Sequence, residues 1–599
     1  MKRFSLPLLV LFTACLAWAA TPSTGTLAAA GATVTWAGGP LTGANADAVN
    51  DFVGDPIPPN FCSLSSSCET FTLVVNVPGT FYNTFPNYGV QISINWASVT
   101  NDLDVYMFDS AGNQIFSSAQ QLSTSEFIGA GRLPSGSYTV LVIAAAAAQA
   151  TYTGTASLVQ EPSVPSGKAR YTPGNFVFNT VQQLQRPADS INTVGASAGL
   201  LLVLDQDVEP RVVHDALGNL YAAAIQGVPG GVDMWKSMDG GATWSYLGEP
   251  DGAQALATFG LNGVGIGGGD EDLAVGSNGA VYMDSLWLGA VTQTVSTDGG
   301  SVWTNNPAAS NLPGDDRQWL APFGSNILYE TYKQVGAALN GTDSIFVAKS
   351  FDGGLTFPQI SEVTTPELGV QPGVQGNMTV DQTNGNVYTV FTGADGGEIY
   401  LARSTDGGQT WTLKLVYQGV SGVSLQNIFP TVAVDGGSNV HIVFSDSRNV
   451  YLTSSRDQGA SFTPPVRVSN GGGTKTAVAP WVTAGSSGKV NIQWWGTSHT
   501  DPMDFTDPWR VFMSQTQNAF ANVPAFAQLP ATGVMHVGAI CVNGLACPSG
   551  SRNLAEYQAA DVGLDGNALI VYPDDKNSGT ATGAARTWFV KQVGGNTVK

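Results

Sequence analysis

The sequence predicts an all-β protein in which an N-terminal β-sandwich is followed by a β-propeller. Three observations support this fold class. The chain has 72 Gly among 599 residues and only 12% charged residues, a composition typical of turn-rich β proteins. Its apolar segments are short and end in Gly, Asn or Asp, which indicates strands joined by turns. Units of similar sequence also recur about every 50 residues along most of the chain, a spacing typical of propeller blades.

The N-terminus has the pattern of a secretory signal peptide over residues 1–19. Two basic residues precede an apolar segment from Leu6 to Leu16, and residues 17–19 form a small-residue cleavage site. Cys15 would suit a lipoprotein anchor, but Phe12 is a poor residue three positions before a lipidated cysteine. No other stretch is long and apolar enough to span a bilayer. We therefore expect a secreted, extracellular protein without a transmembrane segment.

The other four cysteines form two close pairs, Cys62 with Cys68 and Cys541 with Cys547. An even number of cysteines in an exported chain favours two local disulfides. A zinc site at either pair is disfavoured because no histidine lies near it in the sequence.

The chain is strongly acidic, with a formal net charge of −21 at pH 7. Such a chain does not bind nucleic acid or an anionic membrane through bulk electrostatics. The charge suits solubility outside the cell, or a divalent cation.

Composition divides the mature chain into three parts. Residues 20–160 hold alternating strands without repeats and are expected to form the β-sandwich, as an accessory domain. Residues 161–175 are rich in Pro, Ser and Gly and are expected to be an extended linker. Residues 176–599 hold seven repeat units, which favour seven blades, with six the alternative if one unit lies outside the ring. The last unit lacks a fourth strand, and the segment 176–184 is expected to complete it and close the ring.

Five of the units carry the box Ser-x-Asp-x-Gly-x-Thr-Trp or a close variant, which we expect to be the hairpin between the third and fourth strands of a blade. The Asp can accept hydrogen bonds from turn N–H groups, a Gly can adopt positive φ, and the aromatic residue can pack between blades. Five copies around a ring cannot converge on one substrate, so the box is predicted to be structural. Its acidic residues are Asp239, Asp298, Asp352, Asp406 and Asp457.

The box at this spacing resembles the Asp-box (BNR) repeat of the sialidase superfamily, over roughly residues 205–598. The resemblance implies a β-propeller but no particular activity, because the box occurs in sialidases, in other glycoside hydrolases and in non-catalytic propellers. In the first part, "INWASVTNDLDVYMFD" with the later "LPSGSYTVLVIA" resembles the bacterial pre-peptidase C-terminal domain. That resemblance implies an accessory β-sandwich that attaches a secreted enzyme.

The propeller face opposite the boxes is the predicted ligand site. Many of the chain's few Arg residues fall there beside carboxylates, in loops that enter first strands or join second and third strands. Sialidases use an Arg clamp on the substrate carboxylate, a Tyr nucleophile paired with a Glu, and an acidic Asp. The resemblance implies Arg211, Arg317, Arg552 and Arg448 for substrate binding, Glu556 and Tyr557 for the nucleophilic pair, and Asp315 or Asp316 for the acid. The family's Phe-Arg-Ile-Pro motif is missing here.

Two functions fit this sequence. The first is a glycoside hydrolase of sialidase type that acts on extracellular glycans, and the second is a non-catalytic propeller that binds glycan or protein in adhesion. The crowded carboxylates disfavour an anionic sugar and suit hydrolysis of a neutral glycan. They also suit Ca²⁺, although the sequence requires no cofactor. The expected partner is an extracellular glycan or glycoconjugate, and the expected oligomeric state is a monomer.

Overall fold

The protein is described here by a computed structural model, whose chain divides into two compact units. The structure describes residues 19–43, 67–85, 88–112, 114–118, 124–131, 133–160, 167–187, 192–194, 202–204, 206–228, 230–252, 266–287, 289–310, 314–335, 343–365, 368–419, 423–470, 474–500, 502–543, 547, 550–579 and 583–599. One unit comprises Met1–Glu161 and Asn543–Ser549, and the other Pro162–Val542 and Gly550–Lys599. The predicted signal peptide, apart from Ala19, lies outside the described residues.

The first unit is built from eight strands and one short helix. These are β1 (Ala19–Leu27), β2 (Thr33–Gly43), β3 (Cys68–Val75), α1 (Phe81–Thr84), β4 (Tyr88–Trp96), β5 (Asp102–Phe108), β6 (Gln114–Ser118), β7 (Ser125–Gly131) and β8 (Gly136–Gln160). Among the described residues of the whole chain, no helix combines the length and the apolar composition needed to cross a bilayer.

Strand β8 is long enough to serve two sheets. Its first half pairs with β3 and β5, and its second half pairs with β2 and β4. Apolar side chains from both sheets fill one core, in which Trp36 stacks on Phe71 with ring centroids 4.0 Å apart. The expected β-sandwich is confirmed.

The second unit begins with five short strands and continues with sheets of four strands. The short strands are β9 (Arg170–Pro173), β10 (Val177–Phe178), β11 (Gln182–Gln183), β12 (Asn192–Val194) and β13 (Leu202–Leu204). Blades 1 to 3 are β14 (Val208–His214), β15 (Leu220–Gly227), β16 (Gly231–Ser237) and β17 (Ser245–Gly248); β18 (Glu271–Val275), β19 (Val281–Trp287), β20 (Ala290–Ser296) and β21 (Thr304–Asn306); β22 (Asp315–Phe323), β23 (Ile327–Gln334), β24 (Ser344–Ser350) and β25 (Gln359–Glu362).

Blades 4 and 5 follow the same order of four antiparallel strands, blade 6 has additional strands, and blade 7 has three strands of its own. Blades 4 and 5 are β26 (Pro372–Val380), β27 (Val387–Gly393), β28 (Glu398–Ser404) and β29 (Thr412–Gln418); β30 (Thr431–Val434), β31 (Val440–Ser445), β32 (Val450–Ser455) and β33 (Val466–Arg467). Blades 6 and 7 are β34 (Thr476–Ala484), β35 (Val490–Thr497), β36 (Pro508–Thr516), β37 (Ala525–Pro530) and β38 (His536–Val537); β39 (Ala559–Val562), β40 (Ala568–Asp574) and β41 (Arg586–Gly594).

The described sheets form a closed ring of seven blades. The innermost strands contact one another in the order β14, β18, β22, β26, β30, β34 and β39, and β39 contacts β14. The last blade is completed by β10 and β11, which pair antiparallel with β41. Seven blades and closure by the segment 176–184 are therefore confirmed, and the alternative of six blades is wrong.

Part of the expected linker belongs to the propeller. Strand β9, within 161–175, pairs in parallel with β37 and adds an outer strand to blade 6. The sequence does not predict this pairing, because a segment rich in Pro, Ser and Gly indicates an extended chain but not the strand with which it pairs.

The five boxes lie between the third and fourth strands of blades 1 to 5, as predicted. In blade 4, Asp406 Oδ1 accepts the N–H groups of Gln409 and Thr410, both at 3.0 Å, and Oδ2 accepts the Thr410 hydroxyl at 2.6 Å. Ser404 Oγ donates to Asp406 at 2.7 Å and accepts the N–H of Gly408 at 2.8 Å. Equivalent backbone bonds recur in the other four boxes. These bonds agree with the predicted fastening role, which stays a prediction, as does membership of the Asp-box family.

The box of blade 1 also seats that blade against blade 7. Gly241 has a φ of 94°, and a Cβ there would lie 2.3 Å from the Phe589 ring. Trp244 packs edge-on against the same ring, with centroids 5.1 Å apart. The glycine and the aromatic residue of the box therefore act across a blade interface.

Cysteine bonding agrees in part with the expected two disulfides. Cys541 and Cys547 are joined to each other. Cys68 is also disulfide-bonded, and Cys62 lies outside the described residues.

We expect Asp406→Ala to destabilise the propeller by about 1–2 kcal/mol, the usual cost of losing a side chain that satisfies several turn N–H groups. The free energy of unfolding in urea measures this loss. Lys414→Ala, at an exposed position on β29, is the matched control. Equal stability of the two variants would show that the box does not fasten the blade.

Candidate functional site

Irregular innermost strands shape the propeller mouth. The pairing register shifts near the start of β14, β22, β26 and β34, which marks a bulge in each. Glu209, Arg317 and Ala479 have positive φ values of 52°, 51° and 52° in three of these bulges. A bulge inserts one residue and re-aims its side chain. Non-glycine residues with positive φ persist only where surrounding contacts hold them, and such positions concentrate at functional sites.

Arg317 lies at the centre of the mouth and contacts three carboxylates. Its Nη1 donates to Glu209 Oε2 at 3.0 Å, and its Nη2 lies 3.2 Å from Asp270 Oδ2. The same Nη2 donates to Glu556 Oε2. The Arg317 side chain is 6% exposed, so these contacts compensate a charge that is largely removed from water.

The rim of this cluster remains open to solvent. The side chains of Asp270 and Glu556 are 21% and 17% exposed, whereas that of Glu209 is 3% exposed. Arg552 Nη2 donates to the other carboxylate oxygen of Glu556. Two partly exposed carboxylates from the entries of blades 2 and 7 thus converge on one guanidinium group.

A layer of buried aromatic rings lies beside the charged cluster. Trp319 packs against Phe429, Trp481 and Tyr557, with ring centroids 5.3–6.0 Å apart. The Arg317 guanidinium lies over Phe429 at 4.7 Å from the ring centroid, a distance at which a cation is attracted by the ring face. The rings exclude water beneath the ion cluster and so strengthen its electrostatic interactions.

The predicted Arg clamp is engaged within the protein. Arg211 Nε donates to Asp272 Oδ1 at 2.8 Å, and its guanidinium lies 4.8 Å from the Trp481 ring centroid. Arg317 and Arg552 pair with carboxylates as described above. Arg448 lies in the loop between β31 and β32, where its backbone N–H donates to Asp446 Oδ1 at 3.0 Å.

The predicted catalytic residues have different surroundings. Tyr557 is 1% exposed, and its hydroxyl donates to the backbone carbonyl of Glu271 at 2.6 Å. Burial, with the charges of Glu271 and Glu209, raises the pKa of Tyr557 well above its ordinary value. Asp315 is buried, and burial raises its pKa to about 7.

Burial also favours the protonated form of carboxyl groups at the mouth. It raises the pKa of Glu209 to about 8 despite the charge of Arg317. It raises the pKa of Asp270 as well. The positive charge of Arg317 opposes that shift, and the negative charge of the exposed Asp316 adds to it. A carboxyl group with a raised pKa can donate a proton near neutral pH.

Comparison with known proteins gives a fold likeness without a family. No family model matches the sequence, and no curated protein matches it. Similar solved structures include the phage phi92 endosialidase, 12% identical over 70% of each chain with a TM-score of 0.36. The Hadza microbial sialidase Hz136 is 12% identical over 84% of this chain and 94% of its own, with a TM-score of 0.36. The Penicillium chrysogenum α-L-arabinanase is 14% identical over 56% of this chain and 98% of its own, with a TM-score of 0.35.

Glu209 and Asp270 have no role among the residues predicted from the sequence. Both precede or begin innermost strands, as Arg317 does, and this shared position was the available signal. Their convergence on one guanidinium depends on bulges and on contacts between blades far apart in the sequence.

A Ser-His-Asp arrangement lies elsewhere, in blade 5. His441 Nε2 lies 2.9 Å from Asp435 Oδ2, and His441 Nδ1 lies 2.8 Å from Ser454 Oγ. His441 is fully buried, and Ser454 is only 2% exposed. Because a nucleophile must reach its substrate, these three residues serve packing and hydrogen bonding in the blade.

Blade 3 contains a buried carboxyl group without compensation. Glu330 on β23 is fully buried, and neither carboxyl oxygen has a hydrogen-bond partner among the described residues. Burial raises its pKa to about 8, and the charge of Asp315 adds to the shift.

We expect Arg317→Met to lower the free energy of unfolding by about 3–5 kcal/mol, the usual cost of removing one partner of a buried ion pair. The loss should be smaller at pH 5 than at pH 7, because the raised pKa of Asp270 lets more of this carboxyl group protonate at the lower pH once its positive partner is gone. Urea unfolding at both pH values tests this. Arg403→Met is the control, since Arg403 donates to the backbone carbonyl of Gln458. A loss no larger than in the control would contradict the ion-cluster assignment.

We expect Glu330→Gln to flatten the pH dependence of stability. Between the ordinary pKa of Glu and about 8, the unfolded chain releases this proton while the folded chain keeps it, so stability falls as pH rises. The neutral amide removes that contribution, and melting temperatures at pH 5 and pH 8 should differ by a few degrees less than in the parent. Asp395→Asn, at an exposed position, should leave the difference unchanged. An unaltered pH dependence in Glu330→Gln would contradict the assignment.

Proposed function

We propose that this protein is an exported glycoside hydrolase that cleaves neutral glycans outside the cell, with Asp270 and Glu556 as its catalytic carboxyl groups. The observation that carries the proposal is their shared contact with Arg317 Nη2. Because both carboxylate oxygens contact the same nitrogen, they lie within about 6 Å of each other. Retaining glycoside hydrolases hold their two carboxyl groups at about 5–5.5 Å, so a retaining mechanism fits this pair.

The two carboxyl groups differ in the way that such a mechanism requires. Asp270 has a raised pKa and would protonate the glycosidic oxygen as the bond to the leaving group breaks. Glu556 contacts two guanidinium groups and would attack the anomeric carbon to form a glycosyl ester. Asp270, now ionised, would take a proton from the water that hydrolyses this ester and so regain its acid form.

The charges at the mouth favour a neutral sugar over a sialoside. Arg211, Arg317 and Arg552 each already pair with a carboxylate of the chain. A sugar carboxylate would have to displace one of these partners and would leave it unpaired in a partly buried site. This differs from the substrate that the sialidase resemblance implied.

The alternative is a propeller that binds glycan without cleaving it. The saturation of Arg317 by protein carboxylates favours this alternative, because an ion cluster of this kind can also be purely structural. In that case Glu556 and Asp270 would contact sugar hydroxyl groups at the rim.

Hydrolysis of a panel of fluorogenic glycosides tests the proposal. We expect the mature protein to cleave at least one neutral glycoside and no sialoside. Asp270→Asn and Glu556→Gln should each lower kcat/KM at least 100-fold, since each removes a group that moves a proton or an electron pair in the reaction. Asp395→Asn, a carboxylate between β27 and β28 on the same face, should retain activity.

Each other outcome has a distinct meaning. Cleavage of the sialoside alone would overturn the assignment of a neutral substrate. Full activity in both variants would overturn the assigned residues. Retention on immobilised glycan without cleavage of any glycoside would support the binding alternative and reject the hydrolase.

A further inference from the structure

A group of side chains that could bind a metal ion lies in blade 6, in the loop between β35 and β36. His499, Asp504 and Asp507 each offer one ligand atom, and these atoms lie within 4.8 Å of one another. Residue 501, in the same loop, is outside the described residues. The three residues take no part in the ion cluster around Arg317.

One nitrogen atom forms the centre of the group. His499 Nδ1 lies 3.2 Å from Asp504 Oδ2 and also contacts Asp507 Oδ1. The two carboxylate oxygens thus lie on the same ring nitrogen, and all three atoms are types that coordinate metal ions. A divalent cation placed among them could take one ligand from each side chain.

Hydrogen bonds hold the candidate metal-binding residues in place. Asp504 Oδ1 accepts the N–H and the hydroxyl of Thr506 at 2.8 and 2.7 Å, so its Oδ2 is the oxygen presented to His499. The His499 carbonyl accepts the Thr476 hydroxyl at 2.8 Å. Outer hydrogen bonds of this kind orient metal ligands and are part of a working metal site.

The exposure of the three side chains suits an open coordination site. Asp507 is fully buried, whereas His499 and Asp504 are 39% and 37% exposed. A cation here would have protein ligands on one side and could take water or another ligand on the exposed side.

We propose that His499, Asp504 and Asp507 bind a divalent transition-metal ion, of which Zn²⁺ is the representative tested. The imidazole ligand decides the class of metal, because imidazole suits zinc and other transition metals whereas Ca²⁺ takes oxygen ligands. The site is therefore different in chemistry from the calcium that the carboxylates of the mouth suggested.

The loop is tied to the segment that leads to Arg552 and Glu556. The carbonyl of Asp507 accepts the N–H of Gly538 at 3.0 Å, and that of Pro502 accepts the N–H of Ile540 at 2.7 Å. The N–H of Cys541 donates to the carbonyl of Ser551 at 3.0 Å. A bound metal would brace this chain of contacts next to the mouth, so its primary effect is on stability and is independent of the proposed hydrolase function.

Thermal unfolding and titration calorimetry of the chelator-treated mature protein test the site with Zn²⁺ and with Ca²⁺. We expect Zn²⁺ to bind with a stoichiometry of one and to raise the melting temperature by several degrees, and Ca²⁺ to have no effect through this site. His499→Ala and Asp507→Asn should each weaken Zn²⁺ binding at least tenfold. His214→Ala is the control, because His214 pairs with the single carboxylate of Asp561.

The partly exposed Asp504 gives a second variant if Asp507→Asn does not fold. Asp504→Asn should weaken Zn²⁺ binding in the same way. The proposal is overturned if the parent protein binds no Zn²⁺, or if His499→Ala and Asp504→Asn bind it as tightly as the parent. Stabilisation by Ca²⁺ alone would also overturn it, because the imidazole would then have no part.

Discussion

The Arg317 guanidinium is almost removed from water, and its need for compensating charge organises the centre of the propeller. Three blades supply the compensation, through Glu209, Asp270 and Glu556. Without those contacts a buried positive charge would cost several kcal/mol. With them, the entry loops of blades 1, 2 and 7 are fixed relative to blade 3. The spacing of the two rim carboxyl groups is then a consequence of charge compensation.

The fold could be predicted from the sequence because its determinants are local. Each box encodes one turn, in which a residue such as Asp406 accepts hydrogen bonds from N–H groups three and four positions later. A fixed repeat length then implies blades, and the missing fourth strand of the last unit points to 176–184. The pairing of β9 with β37 left no such signal, because it depends on an edge formed hundreds of residues away.

The site could be predicted only as a set of residues on one face. Strand entries identified Arg317 and Glu556, but not that they bind each other, since their contact spans 239 residues and follows from a bulge. The resemblance to sialidases suggested Arg residues available to substrate, whereas Arg211 pairs with Asp272. The sequence did not predict a metal site at His499, because its carboxylate partners follow at irregular spacing in a loop and match no metal-binding motif.

The closure of the ring has a consequence for how the chain is made. Strand β10 is synthesised early, yet its partner β41 is the last of the described strands, and the backbone N–H of Lys591 donates to Asn179 Oδ1 across 412 residues. On the ribosome, blades 1 to 6 can form in order as each hairpin emerges, but blade 7 cannot be completed until β41 has emerged. A nascent propeller is therefore an open arc, in which β10 and the most recently synthesised strand both have unpaired edges. A chain cut short before β41 would remain an open arc, although the box turns of blades 1 to 5 could all have formed.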